Sequence, residues 1–112
     1  LQLHTESFAI DEGIYEVTIT VTLTAKLAEK DKIMFLIEAQ QAGIFHVRNI
    51  PPSELESVLG VVCPNILYPY IREVVTDASV RAGFAPVLLN PINFEALFQQ
   101  QKTQAATAAT KH

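Results

Sequence analysis

The feature that most constrains the fold is a strict alternation of side chains from Tyr15 to Leu27. Apolar residues occupy every odd position, and polar residues, four of them threonines, occupy every even position. Side chains on a β-strand point alternately to opposite faces, so a period of two predicts a strand with one buried face and one exposed face. A strand of this kind is typical of an antiparallel sheet that is covered on one side only.

Two short polar segments flank this strand. Asp11-Glu12-Gly13 separates it from a β-compatible segment at Leu1–Ile10, and residues 28–31 separate it from a third segment at Lys32–Arg48. Short polar connections of this length join neighbouring antiparallel strands. The sequence therefore predicts a three-stranded antiparallel meander.

The third predicted strand carries apolar residues on both faces. Its odd positions continue the apolar face, whereas its even positions place Leu36 beside Glu38 where solvent is expected. This spot is interpreted either as a docking site for a partner with positive charge or as a surface covered by a preceding segment of chain. Gly43 predicts a bulge or the close approach of another backbone.

Helical signals follow the strands. Pro51-Pro52 ends the sheet, and Ser53 with Glu56 forms a capping-box pattern that predicts a helix start. In the stretch CPNILYPY, Pro64 lacks the amide hydrogen of an interior helical residue, so we expect the helix to break or kink near Cys63. A second helix is expected to begin at Pro64 and to end at Gly83.

The C-terminal part of the sequence is predicted to contain less regular secondary structure. Phe84–Leu89 is expected to be an extended loop, and Asn90-Pro91 is expected to start a short helix that runs through Phe98. Residues 99–112 contain no large apolar side chain and are predicted to form a mostly disordered tail. The prediction is one domain at 1–98 with an α+β fold, in which helices pack on one face of the meander sheet.

Composition and net charge limit the classes of partner and the cellular compartment that we expect for this protein. The 112 residues carry a net charge of -4, which disfavours binding to nucleic acid or to an anionic membrane. Hydrophobic residues make up 49% and charged residues 18%, so we expect part of the surface to be covered by another subunit. One cysteine and no long apolar run predict a soluble protein of a reducing compartment, and the start at Leu1 in mid-pattern predicts a missing N-terminal piece.

No catalytic site is evident. Cys63 would need a base to act as a nucleophile, yet His4 and His46 are on outward-facing strand positions and His112 is terminal. The histidines and the single cysteine lack the spacing of a metal site, and the four glycines form no phosphate-binding loop. We therefore expect no catalytic residue, metal or cofactor, and a thiol enzyme that uses Cys63 is the disfavoured alternative.

Three ordered motifs between about residue 12 and residue 98 resemble the SecB family of bacterial protein-export chaperones. They are Ile37-Glu38-Ala39-Gln40-Gln41-Ala42-Gly43-Ile44-Phe45, the CPNILYPY stretch with Arg72-Glu73, and Pro91-Ile92-Asn93-Phe94-Glu95-Ala96-Leu97-Phe98. The resemblance implies a cytoplasmic homotetramer, a dimer of dimers built from domains with four strands. It implies a chaperone without catalytic activity that holds unfolded preproteins and delivers them to the SecA motor.

The resemblance also implies roles for residues of the third strand. Tetramer contacts match Ile37, Ala39 and Gln41, and contacts with the zinc-bearing C-terminal tail of SecA match Leu36 and Glu38. The acidic first strand of the family has no counterpart in this chain, and Ala42 replaces a glycine that is usual in the family. A SecB-like chaperone devoted to another client, such as a labile antitoxin, is the main alternative.

A chaperone of this kind needs apolar grooves that bind many sequences weakly. The candidates come from the first strand and from the loop before the last helix, and ordinary core packing is the alternative for each. They are Leu1, Leu3, Phe84, Leu88, Ile92 and Phe94.

Overall fold

The computed structural model describes residues 1–26 and 33–110 and contains the predicted meander. Strands β1 (Gln2–Asp11), β2 (Ile14–Lys26) and β3 (Ile33–His46) form an antiparallel sheet in the order β1-β2-β3. Gly13, with a φ of 71°, lies in the tight turn between β1 and β2, as its lack of a side chain allows. The predicted spacer at 28–31, together with Leu27 and Lys32, lies outside the described residues.

The alternation in β2 correctly predicted the two faces of the sheet. Val17, Ile19 and Val21 are completely buried, whereas the threonines between them are partly exposed. We call the side of the buried residues the inner face and the side of the threonines the outer face. The predicted α+β arrangement is confirmed, because the helices pack on the inner face and leave the outer face open.

The predicted break or kink near Cys63 takes the form of a π-helical turn within a continuous helical segment, not of a gap between two helices. Helix α1 (Pro52–Ser57), a π-helical turn (Val58–Val62) and helix α2 (Cys63–Arg81) follow one another without interruption. The Cys63 N–H donates to the carbonyl of Val58, five residues back, instead of four. This wider turn accommodates the ring of Pro64, which would clash with a carbonyl in an ordinary α-turn.

The start of α1 also differs from the prediction, whereas the end of α2 agrees with it. Pro51 is the N-cap in place of Ser53, because the fixed φ of Pro52 suits the first helical position. At the other end, Gly83 has a φ of 90° and the Phe84 N–H donates to the Ser79 carbonyl at 3.0 Å. This Schellman arrangement confirms Gly83 as the predicted helix stop.

Helix α3 (Phe94–Thr110) starts later and ends later than predicted. Its cap is Asn93, whose Oδ1 accepts a hydrogen bond from the Ala96 N–H at 3.0 Å, so the predicted start at Asn90-Pro91 is wrong. Residues 99–110 continue the helix where a disordered tail was predicted. Alanine and glutamine favour helices even without apolar side chains to bury, and the predicted domain boundary at 98 therefore falls within α3.

Helix α2 crosses the inner face of the sheet mainly at β3. Its buried residues include a row with a spacing of four, Cys63, Leu67, Ile71, Val75 and Ser79, with Pro64 and Tyr68 beside it. β3 continues through Gly43 without a bulge, and a Cβ atom there would lie 2.9 Å from Cδ2 of Leu67, so close approach explains this glycine. By length and composition the helical segment 52–81 could cross a membrane, but one side of it packs on the sheet like a core helix.

Candidate interaction surfaces

The predicted site residues of β3 lie on opposite faces of the sheet. Leu36 and Glu38 are on the outer face, opposite Thr24 and Thr22 of β2, and Leu36 is 58% exposed. Ile37, Ala39 and Gln41 are on the inner face. The structure therefore separates the two predicted functions by the thickness of the sheet, as the alternation of side chains requires.

The outer face around Glu38 is polar apart from Leu36. Gln40 donates a side-chain hydrogen bond to Oγ1 of Thr20 at 3.2 Å, and His4 on β1 lies 2.9 Å from Oε1 of Glu6. Leu36 has only threonine beside it on β2, so its side chain is available for contact. Leu36 and Glu38 can thus present an apolar group and a carboxylate to the same partner.

The three inner-face residues differ in how much surface they offer. Ala39 is buried in the core, Ile37 packs against that core, and Gln41 is partly exposed. Because Ala39 is covered within its own chain, an influence of this residue on assembly would act through the position of the covering helix. Ile37 and Gln41 retain surface for direct contact with another subunit.

Helix α2 and the turn before it expose a second apolar side that the sequence did not distinguish from the buried one. Large side chains at intervals of four residues are all exposed, and we call this row the α2 stripe. It consists of Val62, Ile66, Tyr70 and Val74. In the sequence, the α2 stripe is indicated by the breadth of the apolar face of the helix, which is wider than one contact with a sheet can cover.

The six predicted groove residues are not brought together into one groove. Leu1 and Leu88 are exposed, whereas Leu3, Phe84 and Ile92 are partly buried. Phe94 is only 2% exposed and packs edge-on against Tyr68, with 5.5 Å between ring centroids, so it is a core residue in this chain.

Two concave surfaces among the described residues each include one of the six. One lies between β1, the π-helical turn and α3 and includes Phe94 with Thr5, Gly60 and Phe98. The other lies on the outer face beside His4 and Thr20, and Leu3 borders it although Leu3 pairs with Val21 and packs against the core on the inner face. The candidates Phe84, Leu88 and Ile92 belong instead to the loop before α3 and to its packing.

The loop after α2 is fixed by hydrogen bonds from that helix. The Tyr68 hydroxyl donates to the Asn90 carbonyl at 2.6 Å, and the Thr76 hydroxyl donates to the Val87 carbonyl at 2.5 Å. The buried Ser79 hydroxyl accepts from the Val87 N–H at 3.0 Å. These bonds hold Leu88 outward, where it is 76% exposed.

The geometry gives Cys63 no features of a nucleophile. The thiol is buried, and burial raises its pKa above the ordinary value of 9.0, which favours the unreactive protonated form. His4 and His46 are exposed on the outer face, on the far side of the sheet from this thiol. Among the described residues, no three histidine, cysteine, aspartate or glutamate side chains are grouped to bind a metal.

Comparison with known proteins identifies the family. The family model described as "Preprotein translocase subunit SecB" matches residues 1–105. "Protein-export protein SecB" of Nitrosomonas eutropha is 58% identical over 108 residues, which are 96% of this chain and 68% of that protein. The proteins of the same name from Nitrosospira multiformis and Methylobacillus flagellatus are 57% and 54% identical, over 97% and 100% of this chain.

The chain spans about two thirds of the length of these relatives, which are covered to 68%, 67% and 71%. The match includes all three strands, the long helical segment and most of α3. The two faces of β3, the exposed α2 stripe and the loop before α3 all lie within the matched residues. This chain belongs to the SecB family.

Proposed function

We propose that this protein is an ATP-independent chaperone of the cytoplasm that holds unfolded preproteins and delivers them to the SecA motor for export. The observation that carries the proposal is the family match over residues 1–105, at 53–58% identity to named export proteins. Among the described residues, His4 and His46 lie across the sheet from the buried Cys63 thiol, an arrangement that gives the thiol-enzyme alternative no support. Nothing among the comparisons favours a dedicated antitoxin chaperone or a thiol enzyme.

The holding activity is tested with the full-length protein. A chemically unfolded preprotein diluted into buffer aggregates, and light scattering measures the aggregation. We expect the chaperone to suppress it without added ATP. Equal aggregation with and without the protein would contradict the proposal, and the Cys63→Ala variant is expected to suppress aggregation as well as the unaltered protein.

Leu36 and Glu38 are proposed to bind the C-terminal tail of SecA. Support comes from their exposure on the open outer face, where an apolar group lies near a carboxylate. A positively charged partner gains attraction from this carboxylate and apolar contact from the leucine. We propose that the zinc-bearing tail of SecA, which the family resemblance implies as the partner, supplies both the positive charge and the apolar contact.

Glu38→Arg tests this docking site, with Glu54→Arg as the matched control. Both glutamates are exposed, but Glu54 lies in the first turn of α1. We expect Glu38→Arg to weaken binding of a SecA-tail peptide at least tenfold in calorimetry, and the control to leave it unchanged. If the unaltered full-length protein shows no binding, the export role fails and a chaperone for another client becomes the better explanation.

Assembly as a homotetramer, a dimer of dimers, is the remaining part of the proposal. The α2 stripe supports it, because four large apolar side chains exposed in one row are costly in a monomer. Tyr70→Glu is expected to lower the mass measured by analytical ultracentrifugation, and Glu73→Gln on the same helix is expected to preserve it. A full-length protein that is strictly monomeric would contradict this assembly.

A further inference from the structure

A hydrogen bond across the outer face borders the proposed SecA docking site. Gln40 is the next residue after Glu38 on this face of β3, and its register partner on β2 is Thr20. The Gln40 side-chain amide donates to Oγ1 of Thr20 at 3.2 Å. This bond directs the end of the Gln40 side chain across the strands, towards β2 and not along β3.

The direction of the Gln40 side chain matters for the Glu38 carboxylate. Residues two apart on a strand share a face and lie about 7 Å apart, so a long amide side chain can reach a neighbouring carboxylate. An amide that donates to a carboxylate forms a charge-assisted hydrogen bond and competes with a positively charged partner for the same oxygens. Among the side-chain hydrogen bonds between described residues, none includes Glu38, and the bond to Thr20 accounts for the Gln40 amide.

Thr20 occupies a fixed position in the middle of the sheet. It pairs with His4 of β1 on one side and with Gln40 of β3 on the other, so its backbone is held by both neighbouring strands. His4 is bonded along its own strand to Oε1 of Glu6 at 2.9 Å. The Thr20 hydroxyl is therefore left to accept the Gln40 amide.

We propose that Thr20 is a positioning residue of the SecA docking site, which holds the Gln40 amide on β2 and so leaves the Glu38 carboxylate to the partner. The proposal rests on the proposed function of Glu38 and adds a residue of another strand that acts through Gln40. Without the Thr20 hydroxyl, Gln40 is expected to donate to Glu38 in a fraction of the molecules. A positively charged partner then has to displace this bond before it can bind the carboxylate.

Thr20→Val tests the proposal on the full-length protein, with Thr18→Val as the matched control. Both threonines lie on the outer face of β2 and both changes keep a β-branched side chain, but Thr18 takes part in none of the side-chain hydrogen bonds between described residues. We expect Thr20→Val to raise the Kd of a SecA-tail peptide about two- to threefold in calorimetry. Thr18→Val is expected to leave the Kd unchanged, and Thr20→Ser, which retains a hydroxyl, is expected to bind like the unaltered protein.

A double-mutant cycle separates positioning from direct contact. Gln40→Ala removes the amide that would compete for Glu38, so it is expected to leave the Kd unchanged and to abolish the effect of Thr20→Val. An equal effect of Thr20→Val with and without the Gln40 side chain would overturn the proposal. So would a higher Kd for Gln40→Ala alone, because that result would make Gln40 a contact of the peptide.

The positioning role and the docking site can fail separately. If Glu38→Arg weakens binding and Thr20→Val does not, the positioning role is wrong and the docking site stands. If the unaltered protein does not bind the peptide, both are wrong. Nuclear magnetic resonance of the free protein gives a readout without the peptide: in the Thr20→Val variant, Glu38→Gln is expected to shift the Gln40 side-chain amide signals, and the absence of this shift would overturn the proposal.

Discussion

Phe98 on α3 occupies the space beside Gly60 in the π-helical turn, so that a Cβ atom on Gly60 would lie 2.7 Å from Cδ1 of the ring. Lys102 strengthens the same junction, since its Nζ lies 5.2 Å from the centroid of Phe98 and 4.0 Å from Oε2 of Glu56. The C-terminal helix is therefore fitted against the long helical segment by one glycine and one aromatic ring.

Replacement of Gly60 by alanine is expected to destabilise the protein despite the better helix propensity of alanine. The added methyl group overlaps the Phe98 ring, and overpacking costs about 1–3 kcal/mol, whereas the propensity gain is about 1 kcal/mol. We expect a net loss near 1 kcal/mol in urea unfolding. In a Phe98→Ala background the overlap is gone, so Gly60→Ala is expected to stabilise; destabilisation in both backgrounds would contradict this explanation.

Replacement of Gly43 by alanine is expected to weaken the packing of α2 on the sheet. The new Cβ atom would lie 2.9 Å from Cδ2 of the buried Leu67 and 3.1 Å from Cε2 of Phe45. A loss of about 1–3 kcal/mol is expected from equilibrium unfolding. The neighbouring Ala42→Gly change on the exposed face serves as the control and is expected to cost about 1 kcal/mol or less.

Replacement of Ser79 by alanine is expected to release the loop before α3. The buried Ser79 hydroxyl accepts the Val87 N–H and donates to the Thr76 carbonyl at 2.7 Å, so its removal leaves the Val87 N–H without this partner. Such a loss costs about 1–3 kcal/mol. Hydrogen exchange is expected to accelerate at Val87, while amides in the middle of β2 serve as an internal control; unchanged exchange at Val87 would show that the hydroxyl does not hold the loop.

Stability is expected to fall in alkaline solution because of Cys63. Burial raises the pKa of the folded thiol above its ordinary value of 9.0, so the unfolded chain loses this proton at a lower pH than the folded chain. The contribution is fully present below pH 9.0 and is lost as the pH rises through the folded pKa. Denaturant unfolding of the Cys63→Ala variant is expected to show a shallower decline above pH 9.0.

Tyr68 also contributes to the loss of stability in alkaline solution, so Cys63→Ala is expected to remove only part of that loss. Burial raises the pKa of Tyr68 above its ordinary value of 10.0, although the positive charge of Arg72 acts in the opposite direction. The variant should therefore still lose stability above pH 10.0. An identical pH dependence for the variant and the unaltered protein would contradict the assignment to Cys63, and so would rapid alkylation of the thiol in the folded protein.

The sequence predicted the sheet better than the helices. Strict alternation in β2 determines which side chains are buried, so the face of every residue from Val17 to Val21, and of Leu36 and Ala39 on β3, followed from one pattern. The helix boundaries depended on competing caps. Ser53 and Asn90 both carry capping side chains, but Pro52 and Asn93 determine the starts, because the surrounding packing decides among caps of similar strength.

The candidate sites were predicted in part. Exposure of Leu36 and Glu38 follows from the alternation, but burial of Phe94 does not, because the loop before α3 has no periodicity from which its packing could be inferred. The alternation also places Ile44 on the outer face, but which residues of β1 and β2 lie beside it depends on the register that aligns the three strands. That register depends on pairing between distant segments, which a pattern within one strand does not specify.

The π-helical turn determines how the long helical segment would respond to the deletion of one residue. A wide turn of this kind holds one residue more than an α-turn, and one residue corresponds to an angle of about 100° around a helix axis. The π-helical turn absorbs its additional residue, so deletion of one residue within Val58–Val62 would return the turn to an ordinary α-turn and keep the rotational phase of α1 relative to α2. The deletion would, however, place the ring of Pro64 against a carbonyl. The additional residue and Pro64 therefore depend on each other. Deletion of the residue is expected to be tolerated only if Pro64 is also replaced.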